Sequence, residues 1–180
     1  METSHPIFTI GHSTHPLEQF IELLRVHGVT LVADVRSVPR SRHNPQFNRD
    51  TLPEALAAAG IAYRHLPGLG GLRRPSSDSS NTGWRNASFR GFADYMQTAE
   101  FAASLDELLG LVQQWRVAMM CAEAVPWRCH RSLIADALFA RSISVEHIVS
   151  AGHTQAHRPT PFARIEGLCV TYPAAGGEGE

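Results

Sequence analysis

Between Cys121 and Arg131 the chain reads CAEAVPWRCHR, at the point where the apolar run VAMM gives way to the helical pattern SLIADAL. Two thiols, a carboxylate, an imidazole and two guanidinium groups meet in this turn. Thiols act as nucleophiles, His and Glu move protons, and guanidinium groups hold anions. A thiol ending a strand just before a helix lies near helix amides and arginines. Both draw its pKa down from about 8.5, towards roughly 3.5–7.5. The expected nucleophile is therefore Cys121, with Glu123 or His130 as the acid or base. The competing reading of Cys121 is a small core residue, since free cysteines are often buried.

Rhodaneses and cysteine phosphatases place a thiolate at a strand-to-helix turn of this kind. The phosphatase spacing, an arginine six residues after the cysteine, is not met, because Trp127 stands there and Arg128 follows. Pro126 suits a first helical turn. Counting from it, His130 shares the inward face with Ile134, Ala137 and Leu138, and Arg131 is turned about 100° further round. The helix start favours an anion, either a substrate carboxylate or phosphate, or Glu123 itself paired with Arg128 or Arg131. The types of Cys121, Glu123, Cys129 and His130 suit zinc or iron, but their spacing is no standard zinc pattern. His12 or His65 would have to complete a set through the fold. No metal ligand is assigned, and the cofactor is left undetermined.

The elements that must position these groups alternate along the chain. IFTIGHS, VTLVADVR, IAYRHL, RVAMMCAE and VEHIVS read as strands. Between them lie helical patterns such as HPLEQFIELLRVHG, where Leu17, Phe20, Ile21 and Leu24 recur at helical spacing. TLPEALAAAG reads as a short helix and GFADYMQTAEFAASLDELLGLVQQW as one or two. Apolar strands alternating with helices predict an α/β fold: a single three-layer, Rossmann-like domain with a mostly parallel sheet of about five strands and helices on both faces. Ligands bind outside the carboxyl ends of such strands. Those ends carry His12 and Ser13; Asp34, Arg36 and Arg40; Arg64 and His65; and Cys121 and Glu123. Asp34 and Arg36 share one strand face, where they pair with each other or leave Asp34 near His12 as a general base.

Composition bounds the rest. The 180 residues suit one domain over 1–150, with a flexible loop at 67–90 and a partly disordered extension at 151–180. All 16 basic residues are arginine, so lysine-based Schiff chemistry is excluded. Nine of those arginines fall between Arg36 and Arg90, against Asp50, Glu54 and Asp78, although the net charge is only −1. Trp84 and Phe89, interleaved with arginines, would allow base stacking. Three cysteines and no apolar leader predict a reduced, cytoplasmic protein without a membrane span. Oligomeric state is not legible.

The motifs IGHS, DVRSVPRS, GIAYRHLPGLGG, GFADYM and MCAEAVPWRCHRSLIAD, in this order, resemble the bacterial domain-of-unknown-function family 488. The resemblance implies an α/β domain of this size and a shared site, but no particular reaction. Its pattern falls on His12, Ser13, Asp34, Arg36, Pro39, Arg40, Gly70, Gly71, Phe92, Tyr95, Cys121, Glu123, Cys129, His130 and Arg131. The combined expectation is a catalytic set of Cys121, Glu123, His130, Asp34 and His12. Ser13, Arg36, Arg40, Gly70, Gly71, Tyr95, Arg128 and Arg131 would bind an anionic substrate, a nucleotide or nucleic acid among the candidates. The alternatives are a non-catalytic nucleic-acid or nucleotide binding module and a metal-binding protein.

Overall fold

The computed structural model describes residues 5–174. In chain order it contains β1 (Ile7–Gly11), α1 (Leu17–Val26), β2 (Leu31–Asp34), α2 (Leu52–Ala58), β3 (Ala62–His65), α3 (Ala87–Tyr95) and α4 (Ala99–Val112). Then follow β4 (Val117–Cys121), α5 (Arg131–Ala140), β5 (Val145–Ser150), β6 (His153–Ala156), β7 (Arg164–Glu166) and β8 (Cys169–Thr171). The main sheet runs β3-β2-β4-β1-β5-β6. Its first five strands are parallel and β6 is antiparallel. Every residue of β1, β2 and β4 is buried, which is why the strands read as unbroken apolar runs.

Alternate strand residues sort to opposite faces. Phe8, Ile10, Val32 and Met120 pack with Phe20 and Leu24 of α1 and Leu56 of α2. Ile7, Ala33, Val117 and Met119 pack with residues of α3, α4 and α5, including Phe92, Leu105 and Leu133. The result is the three-layer α/β architecture that the pattern predicts. The stretch read as one or two helices is two. Asn86 caps α3 by accepting from Ser88 and Phe89 N–H, and Thr98 caps α4 by accepting from Phe101 N–H.

One local expectation is corrected. Pro126–Arg128 forms a single 3-10 turn, Cys129 is extended (φ −134, ψ 148), and α5 starts afresh at Arg131. The break re-phases the helix, so the continuous count from Pro126 does not hold, and Arg131 is buried at 1% exposure. Proline suits the first position of a 3-10 turn as well as that of an α-helix, and the sequence does not separate the two.

The stretch 67–90, read as a flexible loop, is tied at several points. The Asp94 carboxylate accepts from Ser76 N–H, the Ser79 hydroxyl and Asn81 Nδ2. Asn81 is fully buried, and its carbonyl accepts from Tyr172 N–H. Beyond residue 150, β6 extends the sheet, while Val170 and Tyr172 join the core against α5. That cover explains why Arg131–Leu138 are buried without interruption. Residues 1–4 and 175–180, the latter closing the expected extension, lie outside the described residues. Among the described residues no helix is long and apolar enough to cross a membrane.

Candidate active site

The carboxyl ends of β1, β2 and β4 are knitted together by backbone bonds. Gly11 lies opposite Cys121 in the ladder. Past it, His12 N–H donates to Cys121 O at 2.9 Å, and Ser13 N–H donates to Ala122 O at 2.9 Å. Val35 N–H donates to Met120 O at 3.0 Å. A methyl group on Gly11 would sit 1.9 Å from the Glu123 carbonyl oxygen, so the turn after β4 folds across β1 because the residue there is glycine. The chain leaves β1 through α1 towards one side of the sheet and leaves β4 through α5 towards the other. A crevice opens where neighbouring strands part in this way.

A cleft of about 350 Å³ occupies that crevice. Cys121, Cys129 and His130 line it together with Arg36, Arg40 and Arg128. Glu123 and Gly71 also face it, and a methyl on Gly71 would press on the His130 ring at 2.7 Å. Of the remaining predicted residues, His12, Asp34, Ser13, Gly70, Tyr95 and Arg131 do not line the cleft. Strand alternation explains part of this: His12 and Asp34 fall on the α1–α2 face, Cys121 on the opposite one. Tyr95 donates to Gly68 O at 2.7 Å and carries Arg73 over its ring. Gly70 admits the Ser37 side chain.

Asp34 is fully buried and grips Arg36 with both oxygens, at 2.9 and 2.7 Å. Tyr63 also donates to Asp34, and burial together with that carboxylate pushes the Tyr63 pKa up. Arg36 donates in addition to Phe47 O at 2.7 Å and to His12 Nε2 at 3.3 Å. His12 in turn gives Nδ1–H to Ser13 O and stacks on Phe47. Burial, helped by the Arg36 charge, keeps His12 below the usual histidine range, hence neutral. This half of the predicted set positions Arg36. The open cationic groups of the cleft are Arg40 and Arg128, both exposed and without a side-chain partner among the described residues.

The two thiols differ sharply. A hydrogen bond from Cys121 pulls Cys129 down to about 7, and the Arg131 charge assists against burial. Cys121 is pushed well above the ordinary thiol range, first by burial and then by Cys129. Arg131 Nη1 donates to Cys121 Sγ at 2.6 Å. The Cys121 thiol in turn donates to Glu123 O at 3.6 Å, so the guanidinium and the Cys121 sulfur gather around that carbonyl. His130 gives Nε2–H to Val35 O at 2.8 Å, leaving the Nδ1 lone pair 3.5 Å from Cys129 Sγ. Burial lowers the His130 pKa, which keeps the ring neutral at neutral pH. The Glu123 side chain is exposed and accepts only from Val125 N–H at 3.3 Å. It is the Glu123 backbone carbonyl, not the carboxylate, that Arg131 binds.

No carboxylate lies within ion-pair distance of Arg131 among the described residues. Its Nη2 donates to Ala124 O at 3.1 Å and its Nε to Thr9 Oγ1 at 3.3 Å. From Thr9 a chain of bonds continues: the hydroxyl to His147 Nδ1 at 2.6 Å, His147 Nε2–H to His157 Nδ1 at 2.9 Å, and His157 Nε2–H to Asp136 at 2.8 Å. The direction is fixed at both ends, since guanidinium only donates and carboxylate only accepts. Asp136, fully buried, also accepts from Thr160 N–H, the Thr160 hydroxyl and Tyr172 OH. The relay lets a buried cation and a buried anion balance each other without touching.

Sequence reading missed Thr9, Asp136, His147 and His157, and gave Cys129 only a metal-ligand or family role. Two signals were present: an acid alone in the apolar stripe of α5, and a histidine sharing a strand face with Val145. The relay makes a pH prediction. Burial first, then His157 and Arg131, hold His147 down to about 3, against about 6.5 in an unfolded chain. The native state resists protonation, so stability is full above pH 6.5 and falls as pH drops towards 3. His12 and His130 shift in the same direction. From pH 7 to pH 5, urea unfolding should show a loss of roughly 2 kcal/mol from His147 alone. Equal stability at both values contradicts a neutral, buried His147.

Among the described residues, no three His, Cys, Asp or Glu side chains converge as a metal-ligand group. Fold and cleft together define an α/β protein with a thiol pair at the carboxyl edge of its sheet. The chain belongs to the family described as Domain of unknown function DUF488, whose family model matches residues 16–138. No curated protein and no solved structure matches the chain.

Proposed function

We propose that the protein is a thiol-dependent enzyme, a transferase or hydrolase acting on an anionic substrate, with Cys129 as nucleophile. The observation that carries this reading is the Cys129 sulfur set 3.5 Å from His130 Nδ1 in a cleft that also holds Arg40 and Arg128. Neither arginine has a side-chain partner among the described residues, and the Cys129 pKa is lowered to about 7. At neutral pH such a sulfur is substantially thiolate, the form that attacks. Cys121, the nucleophile expected from its place on the strand, becomes the neighbouring thiol that tunes Cys129, itself held by Arg131 Nη1 and Glu123 O. His130 Nδ1 moves the proton, and Glu123 is the exposed carboxylate available for a second transfer. Arg40 and Arg128 hold the substrate anion. Asp34 and His12 act through Arg36, and Arg131 acts through Cys121. A free thiolate of this kind works in a reducing compartment, so the cytoplasm belongs to the proposal.

The test is alkylation by iodoacetamide across pH, read residue by residue by mass spectrometry. Cys129 should label with a midpoint near pH 7, inorganic phosphate should slow it, and Cys129→Ser should remove that component. Exposed Cys169 serves as the internal control. A Cys129 midpoint matching that of Cys169, or no labelling at Cys129, overturns the reading.

A further inference from the structure

A second cavity, of about 380 Å³, lies beside the first, a volume in the range of small-molecule sites. Flat apolar groups make much of its wall, Trp84, Trp127 and Phe162 with Pro126, Pro159 and Pro161, and the relay histidines His147 and His157 also reach it. The two cavities adjoin through neighbouring residues. In the turn Pro126–Arg128, Trp127 lines the apolar cavity and the next residue, Arg128, lines the thiol cleft. Consecutive Cα atoms are about 3.8 Å apart. Elsewhere they adjoin at a ring contact of 5.0 Å between Trp84, on the apolar side, and Phe89, which lines the cleft.

This places a ring-binding surface next to an anion-binding one. Trp127 is 64% exposed, unusual for a large aromatic that has a core available. The Trp84 indole N–H is buried without a partner among the described residues. Such orphans are rare, and the residue that carries this one lines the cavity. Gln155 and Arg158 also line the cavity, are exposed, and make no side-chain hydrogen bond among the described residues. They supply polar contacts for a ring edge.

We infer that the substrate of the thiol cleft is a nucleoside monophosphate. Its base stacks in the cavity of Trp127, Trp84 and Phe162, and its phosphate lies in the adjoining cleft on Arg128 and Arg40. The inference rests on the reading of the cleft as an anion site and adds the ring that the anion carries. One ligand holding both groups gains from two weak sites at once, as linked binding does.

Calorimetric titration of the intact protein with AMP, adenosine and inorganic phosphate separates the contributions. AMP should bind at least roughly tenfold more tightly than either fragment. Trp127→Ala, at an exposed position, should erase most of the advantage of AMP over phosphate and leave phosphate binding unchanged. Arg128→Gln should weaken AMP and phosphate but not adenosine. AMP no tighter than phosphate, or indifferent to Trp127→Ala, overturns the nucleotide assignment. If phosphate still slows Cys129 alkylation in that case, the anion cleft stands and only the base site falls. If phosphate neither binds nor protects Cys129, the cleft reading itself fails, and the nucleotide assignment fails with it.

Discussion

Asp136→Asn is expected to cost about 3–5 kcal/mol, the usual penalty for removing one member of a buried charge pair. In a chain of this size that is a fall in Tm of roughly 10 °C. Four donors converge on the carboxylate: His157 Nε2–H, Thr160 N–H, the Thr160 hydroxyl and Tyr172 OH. An amide of the same shape turns one oxygen into a donor, so two N–H or O–H groups face each other in the core. It also removes the negative charge that balances Arg131 through Thr9, His147 and His157. Tyr172→Phe, which removes a single donor, should cost only about 1 kcal/mol. Thermal unfolding followed by circular dichroism makes the comparison. If Asp136→Asn melts within about 3 °C of the wild type, the relay is not an electrostatic device.

The second large effect concerns the thiol pair. Cys121→Ala removes the donor that heads the causes of the low Cys129 pKa. The Cys129 pKa should rise by a unit or more towards the ordinary value of about 8.5. Its alkylation rate at pH 7 should then fall on the order of tenfold. Cys121→Ser keeps a donor in the same place and should retain most of the reactivity. The contrast between alanine and serine matters because both changes shrink the side chain within the core. A role in packing alone predicts similar outcomes for the two. Identical pH profiles in wild type, Cys121→Ala and Cys121→Ser would show that Cys129 owes nothing to its neighbour.

The legible part of this molecule was the part governed by local pattern. β1 and β4 announced themselves because strands covered on both faces leave few polar positions. Their common edge followed from the direction of parallel strands, and with it the convergence of Arg36, Arg40, Cys121, Glu123, Arg128 and His130 on one cleft. What stayed hidden depended on partners far apart in the chain. Asp136 meets His157 and Tyr172, Thr9 meets His147, and Asn81 meets Tyr172, and neither pattern nor propensity encodes such meetings. The phase of α5 was hidden for another reason. Pro126 begins a short turn that ends at an extended Cys129, and this irregularity sets the direction in which Arg131 points. The surroundings of the two cysteines were equally non-local, since Arg131 and the Glu123 carbonyl meet Cys121 while His130 meets Cys129.

The family match spans residues 16–138, but the sheet does not respect those limits. β1 lies before the match and forms the inner rail between β4 and β5; β5, β6 and the strands covering α5 lie after it. A fragment trimmed to the matched stretch would therefore lack the middle of its own sheet, leave β4 with an open flank, and strand Asp136 on the surface of a helix. The stretch that the family model matches and the stretch that must fold together are here two different lengths of chain.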